Sequence, residues 1–186
     1  MIVTHFEQVD LSGVEATFTP DGQHRSQLKI PLKRLNGGRT LCIVGQNPSQ
    51  ANASVADKTI RFLEKFVFER MPEFSQILML NLYSRVDTRK EYTDNLNHHD
   101  CELAFQEAVR NNSDFLVVFG KLKNEGAYNF IDRANELRLL LRGKKVFKFD
   151  IGSTFAPHPG NPKILYQNFN IGVTDYDFAD IHRTDA

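Results

Sequence analysis

The sequence predicts a three-layer α/β fold, with helices on both faces of a short, mostly parallel four-stranded sheet. Three observations carry that expectation. Short apolar runs recur at 41–44, 77–80, 115–119 and 146–151, two of them stopped by Gly45 and Gly120 and one by Asn81. Stretches with helical spacing lie between them, and no long-period repeat interrupts the alternation. No linker is visible, so the 186 residues read as a single domain, with 1–30 as an N-terminal extension and 174–186 as an acidic tail.

In chain order, residues 1–13 give no element. Val14, Ala16 and Phe18 alternate toward Asp21-Gly22, and Leu28 and Ile30 return, which reads as an edge hairpin. Lys29, Lys33, Arg34 and Arg39 follow without an intervening acid, a basic stretch that suits phosphate or a solvated loop. Leu41-Cys42-Ile43-Val44 is the first buried strand. Beyond Gly45, Pro48 fixes its own φ and pushes Asn47 toward extended geometry, so a polar amide stands on a stiff loop past the strand end. An Asn-Pro turn that only joins a strand to a helix accounts for the same residues.

Ile60, Leu63, Val67 and Met71 give a helix its core stripe, Pro72 ends it, and Asp57 or Ser54 caps its start. Asp57, Thr59 and Arg61 are expected beside the Asn47 loop, and a helix cap with solvent-facing charges accounts for them equally well. Ile77 to Leu80 is the second strand and ends in Asn81, with Leu82 to Arg85 as loop. Leu96 to Arg110 is a helix with Leu103, Ala104, Phe105 and Ala108 inward. The adjacent His98 and His99 diverge on a helix and read as surface residues rather than ligands. Phe115 to Phe119 with Gly120 repeats the strand-and-glycine design, Ala127 to Leu141 is the third helix with Gly143 past its end, and Val146 to Ile151 supplies the fourth strand. Three prolines around His158 restrict the loop 156–162, and the tail from Thr174, with Asp175, Asp177, Asp180 and Asp185, is expected to be loosely held.

Composition excludes several classes. Balanced charge, 23 basic and 23 acidic residues, argues against a whole-surface grip on nucleic acid. Two cysteines are too few for a four-thiolate site, and no zinc-protease or deaminase pattern occurs, so neither metal nor cofactor is expected. The Gly45 loop lacks the phosphate-loop Lys-Ser/Thr and the dinucleotide glycine fingerprint, and there is no Gly-x-Ser-x-Gly elbow. No run reaches membrane-spanning length and no leader pattern opens the chain, so a cytoplasmic protein without a membrane partner is expected.

If the strands are parallel, Asn47, Asn81, Gly120 and His158 meet at their carboxyl ends. Two carboxamides can read a planar donor and acceptor edge, and a histidine can donate to an oxygen on which charge develops. That equipment suits a nucleobase. Tyr83, Phe62 and Phe66 are candidates to stack on it, against the alternative of core packing, and Lys29, Lys33, Arg34, Lys144, Lys145 and Lys148 are candidates for phosphate contacts. Ile164 or Leu165 could wedge between bases or lie in the core.

Gly45-Gln46-Asn47-Pro48-Ser49-Gln50-Ala51, Asp57-Lys58-Thr59-Ile60-Arg61, Asn81-Leu82-Tyr83-Ser84-Arg85 and His158-Pro159 resemble the bacterial and phage family known as domain of unknown function 1643, over roughly 25–166. Gly160-Asn161-Pro162 is looser than that family's usual ending, and Gly45-Gln46 replaces a more apolar approach. A more distant resemblance is to uracil-DNA glycosylases, which have in the same order a Gly-x-Asp/Asn-Pro loop, a strand ending in Asn, a strand ending near glycine and a His-Pro loop. That resemblance implies a uracil-DNA glycosylase-like fold in which Asn47 positions water, Asn81 reads the base and His158 hydrogen-bonds a base oxygen. The catalytic candidates are therefore Asn47, His158 and Asp57, and the ligand-binding candidates Gly45, Gln46, Pro48, Ser49, Asn81, Tyr83, Arg85 and Gly120. The expected partner is a nucleobase, a nucleotide or locally contacted DNA, and the expected reaction is metal-independent hydrolysis of an N-glycosidic bond. The alternatives are a non-catalytic nucleotide or nucleic-acid binding module and a protein-interaction domain whose Asn-Pro and His-Pro turns are structural.

Overall fold

In the computed structural model, which describes residues 2–34, 38–167 and 170–181, the chain opens with β1 (Ile2–Val3), a single 3-10 turn (Leu11–Gly13), β2 (Glu15–Phe18) and β3 (Arg25–Pro31). It continues through β4 (Arg39–Gly45), β5 (Ala56–Asp57), α1 (Lys58–Arg70), β6 (Phe74–Asn81), α2 (His99–Asn111) and β7 (Asp114–Val117). It closes with α3 (Phe130–Leu140), β8 (Lys145–Phe149), α4 (Pro162–Leu165) and β9 (Val173–Asp175).

The apolar run of β4 takes the most protected place. It pairs in parallel with β6 on one side and β7 on the other, and β8 runs parallel to β7. These are the four strands that the apolar runs predict, but the sheet is larger. It has seven strands in the order β2-β3-β6-β4-β7-β8-β9. The hairpin lies antiparallel on β6, with Leu28 opposite Met79 and Ile30 opposite Ile77, and β9 lies antiparallel on β8, with Thr174 opposite Lys148. Both additions satisfy backbone groups that a four-stranded sheet leaves open at its edges. A separate two-stranded pairing joins β1 to β5.

Alternation along the strands divides the core. Leu41 and Ile43 of β4, with Ile77 and Met79 of β6, face α1, whose Ile60, Leu63, Phe66 and Val67 pack on them. Cys42, Val44, Leu78 and Leu80 point the other way, toward Phe105, Ala108 and Val109 of α2 and Ala134 and Leu137 of α3. Each fully buried aliphatic or aromatic side chain contributes roughly 1.5–3 kcal/mol to burial. The inward stripe of α2 is Cys101, Phe105, Ala108 and Val109, which turns Leu103, expected inside, out to solvent at 50% exposure.

The segment after Thr174 is not loosely held as far as Ile181. Tyr176, Phe178 and Ile181 are buried, and the Tyr176 hydroxyl donates to Asp180 at 2.8 Å. Residues 182–186, Asp185 among them, lie outside the described residues. No described helix is long and apolar enough to cross a membrane.

Candidate functional site

Parallel pairing brings the strand ends level. Gly45 stands opposite Asn81, and Val44 opposite Val117. The loops are then laced by backbone bonds beyond the sheet. The Leu82 N–H donates to the Gly45 carbonyl at 2.9 Å and the Tyr83 N–H to the Gln46 carbonyl at 3.0 Å. The Gly120 N–H donates to the Ala156 carbonyl at 2.8 Å, which ties the His158 loop to the end of β7.

Between these loops and the start of α1 lies a cleft of about 410 Å³, the size of a small-ligand site. Asn47, Asn81, Asp57 and His158 all line it, with Gly45, Gln46, Ser49 and Thr59. The sequence-derived constellation therefore converges. Four further polar residues, Arg25, Asp87, Thr88 and Lys90, line it without a sequence pattern that marks them.

Asn81, Asn47, His158 and Gln46 each have their direction set by a neighbour that can play only one part. Arginine only donates, and Nη2 of Arg25 lies 3.3 Å from Oδ1 of Asn81. A carbonyl only accepts, so Nδ2 of Asn47 is the end that faces the Arg85 carbonyl, at 3.5 Å. Oδ1 of Asn47 is buried and takes no hydrogen bond from the described residues. The Gly160 N–H donates to Nδ1 of His158 at 3.0 Å, which leaves the proton of the neutral ring on Nε2. Nε2 of Gln46 donates to the Phe119 carbonyl at 2.9 Å and fixes that side chain in the wall.

Charges are arranged around these groups. Arg25 is buried, and desolvation pushes its pKa down to about 10 against the favourable field of Asp57. Asp57 caps α1 as expected, Oδ1 accepting from the Ile60 N–H at 2.8 Å. His158 stands on the lip; desolvation lowers its pKa, Asp57 opposes that and Lys90 adds to it. With Nδ1 accepting from the Gly160 N–H, the imidazole in this arrangement is neutral. Burial disfavours the charge on Asp87, but the Tyr128 hydroxyl at 2.7 Å and the amides of Tyr92, Glu91 and Lys90 outweigh it and hold the carboxyl below its ordinary range.

Other candidates lie elsewhere. Tyr83 does not line the cleft. It is buried in an aromatic cluster, edge-on to Tyr128 and Phe130 at 4.9 and 5.3 Å, and its hydroxyl accepts from the Asn129 N–H. Arg85 is buried with its guanidinium 3.8 Å over the ring of Tyr92 and reaches the site only through its carbonyl. Pro48 is buried behind the loop. Gly120 adopts φ +78° and supports His158 from behind: a Cβ there would lie 3.4 Å from the histidine Cβ. Phe62 and Phe66 stack on each other against Phe149 in the core, and Ile164 is buried while Leu165 is exposed.

The basic candidates do not converge on the cleft either. Lys29 pairs with Glu15 at 3.4 Å, Lys33 donates to the Glu7 carbonyl, and Arg34 donates to the Val67 and Phe68 carbonyls at the end of α1. Arg39 pairs with buried Asp114 at 3.2 Å, Lys144 donates to the Asn112 carbonyl and Lys148 to those of Ser153 and Thr154. Arg61 turns to Thr4. His98 caps α2, its Nδ1 accepting from the Asp100 N–H at 3.3 Å. No group of three or more His, Cys, Asp or Glu among the described residues could hold a metal.

Arg25 escapes a reading based on parallel strand ends because it sits at the amino end of an antiparallel strand, which meets the carboxyl ends of its neighbours. Its only sequence signal is a charge at the head of a half-apolar strand. Asp87 and Lys90 lie in the long loop after β6, whose polar composition carries no position. A family model described as "Protein of unknown function (DUF1643)" matches residues 31–162. No curated protein and no solved structure matches the chain.

Proposed function

We propose a function from the premise that the chain belongs to the DUF1643 family of proteins of unknown function: the cleft takes a nucleobase, carried by a nucleotide or flipped out of DNA, and hydrolyses its N-glycosidic bond. The observation that carries this reading is the convergence of Asn47, Asn81, Asp57 and His158 on one base-sized cleft with their hydrogen-bonding ends fixed. The chain order of Gly45 to Pro48, Asn81, Phe119-Gly120 and His158-Pro159 supports a likeness to the uracil-DNA glycosylase-like superfamily.

In this mechanism the Asn47 carboxamide positions the attacking water, and Asp57 takes the water's proton. The water oxygen bonds to the sugar carbon, and the electron pair of the broken C–N bond leaves with the base. The Nε2–H of His158 donates to the base oxygen on which that charge gathers, and the NH2 of Asn81 holds a ring carbonyl. A neutral imidazole suits this role, since it donates without having to give up its proton.

An amide stands where a carboxylate would make the stronger base, which favours a second reading: a base-binding module that does not turn over. One experiment separates the two. Purified protein is incubated with uracil-, thymine- and hypoxanthine-containing oligonucleotides and nucleotides, and released base and bound ligand are both measured. Release that falls about 100-fold in Asn47→Ala and His158→Ala supports the enzyme. Binding without release supports the module, and neither binding nor release removes the nucleobase reading.

A further inference from the structure

Arg25 is 98% buried, and no carboxylate lies within ion-pairing distance of it among the described residues; it holds only neutral acceptors. Nη1 donates to the carbonyls of Ser49 and Ala51 at 3.3 and 3.0 Å, Nη2 donates to Oδ1 of Asn81 at 3.3 Å, and Nε is unpartnered. A buried guanidinium so arranged is expensive to keep, and loop closure alone does not require it, because an amide would hold the same two carbonyls. What an amide would not supply is a side chain without any acceptor.

We infer that Arg25 is a positioning residue that fixes the polarity of Asn81. A carboxamide is nearly symmetric in shape and can present either end. Against a group that only donates, the reversed rotamer sets NH2 against N–H, so Oδ1 is held at the guanidinium and Nδ2 is turned away. The turned end lies along Gly45, 3.0 Å from where a Cβ on that glycine would sit, and Gly45 lines the cleft. Asn81 therefore offers donors to the ligand, and the positive charge on Arg25 polarises the amide so that those donors are stronger. Resting on the nucleobase reading, this makes the site choose a ring carbonyl over an exocyclic amine, and Arg25, which the ligand need not touch, sets the choice.

The test uses uridine and cytidine monophosphates, which differ in this respect at one ring position, with calorimetric affinities for wild type, Arg25→Lys, Arg25→Met and Arg25→Gln. The Asn81 side-chain amide resonance, assigned by its loss in Asn81→Ser, is followed in parallel. Wild type is expected to favour the uridine nucleotide by roughly tenfold or more, one hydrogen bond's difference. Arg25→Lys, still a pure donor, keeps both the ratio and the resonance. Arg25→Met and Arg25→Gln free the amide to reverse, so the ratio falls toward one and the resonance moves. Two unrelated replacements keep the result readable if one fails to fold. A folded Met or Gln variant with the wild-type ratio and an unmoved resonance overturns the proposal. If wild type binds neither nucleotide the base reading fails, and the resonance alone decides: moved in Met but not in Lys, the positioning stands; unmoved in both, it is wrong.

Discussion

His5 and Glu64 form a buried pair: Nδ1 of His5 lies 2.5 Å from Oε1 of Glu64, and both side chains are at most 1% exposed. The other carboxylate oxygen of Glu64 accepts from the Phe6 N–H at 2.8 Å, and Nε2 of His5 donates to the Asn52 carbonyl at 2.9 Å. A carboxylate at one ring nitrogen and a carbonyl at the other favour the protonated imidazole. The pair thus joins the N-terminal segment and the loop 49–56 to α1, on the side from which Ser49 and Asp57 enter the cleft.

That arrangement makes stability depend on pH. The bond to Glu64 raises the His5 pKa, burial opposes it and the Asn52 carbonyl adds to it. A raised folded pKa gives stabilisation that is complete below the unfolded value near 6.5 and is lost as pH climbs through the folded one. His24 and His158, both with lowered pKa, act in the opposite sense: their share is present above about 6.5 and is lost as pH falls. The His5 contribution is isolated by subtracting the double variant His5→Gln, Glu64→Gln, which removes both charges. The difference in urea-unfolding free energy should decline by about 1.5–3 kcal/mol across the window above pH 6.5, as for a hydrogen bond to a charged group. A difference that is flat with pH would show that the pair folds neutral.

Asp57 does two jobs that substitution can separate. Its Oδ1 caps α1, and its charge faces Arg25 and His158. Asp57→Asn keeps a cap and should unfold within a few tenths of a kcal/mol of wild type, whereas Asp57→Ala loses about 1 kcal/mol. If the carboxylate takes the water's proton, base release should fall about 100-fold in both. Full release by Asp57→Asn would reduce the residue to a helix cap.

Gly45 is required by proximity and not by its backbone angle. An added Cβ would meet Nδ2 of Asn81 at 3.0 Å, closer than ordinary contact, and the amide must shift by a few tenths of an ångström. Gly45→Ala should therefore keep its unfolding free energy within about 1 kcal/mol of wild type while weakening nucleotide binding by roughly tenfold, since hydrogen bonds weaken steeply with misalignment. Calorimetric titration and denaturant unfolding on one preparation check both halves. Unchanged binding would mean that ligand does not use the Asn81 amide.

What could be read in advance follows from where side chains take their meaning. Leu41 to Val44 and Ile77 to Leu80 are apolar on both faces, a demand that only central strands satisfy, and their terminators Gly45 and Asn81 mark the ligand side. Asn47, Asn81 and His158 are legible in the sequence because each sits at an interruption of such a pattern. Arg25 depends on the direction in which a hairpin docks, which local spacing does not encode. Tyr83 leaves the site within two residues of chain: Asn81 faces the cleft, but the backbone bond from Tyr83 to Gln46 turns the next aromatic under the loop toward α3. The basic residues at 29–39 and 144–148 carry charge legible in sequence, yet Lys29, Lys33, Arg34, Arg39, Lys144 and Lys148 each have a nearby carbonyl or carboxylate that uses it.

Phe66 tests whether a core aromatic can be told from a base-stacking one. Its ring is 1% exposed, parallel to Phe62 at 6.2 Å and edge-on to Phe149 at 4.9 Å, on the sheet face that α1 covers. Truncation leaves a cavity that rigid strands cannot collapse into, so Phe66→Ala should cost about 3–5 kcal/mol, a large part of a typical domain's stability of roughly 5–15 kcal/mol. Nucleotide affinity, measured at a temperature where the variant remains folded, should equal that of wild type because the ring does not line the cleft. A variant that lost binding with little loss of stability would instead place Phe66 against the ligand, and the division between the α1 core and the cleft would have to be redrawn.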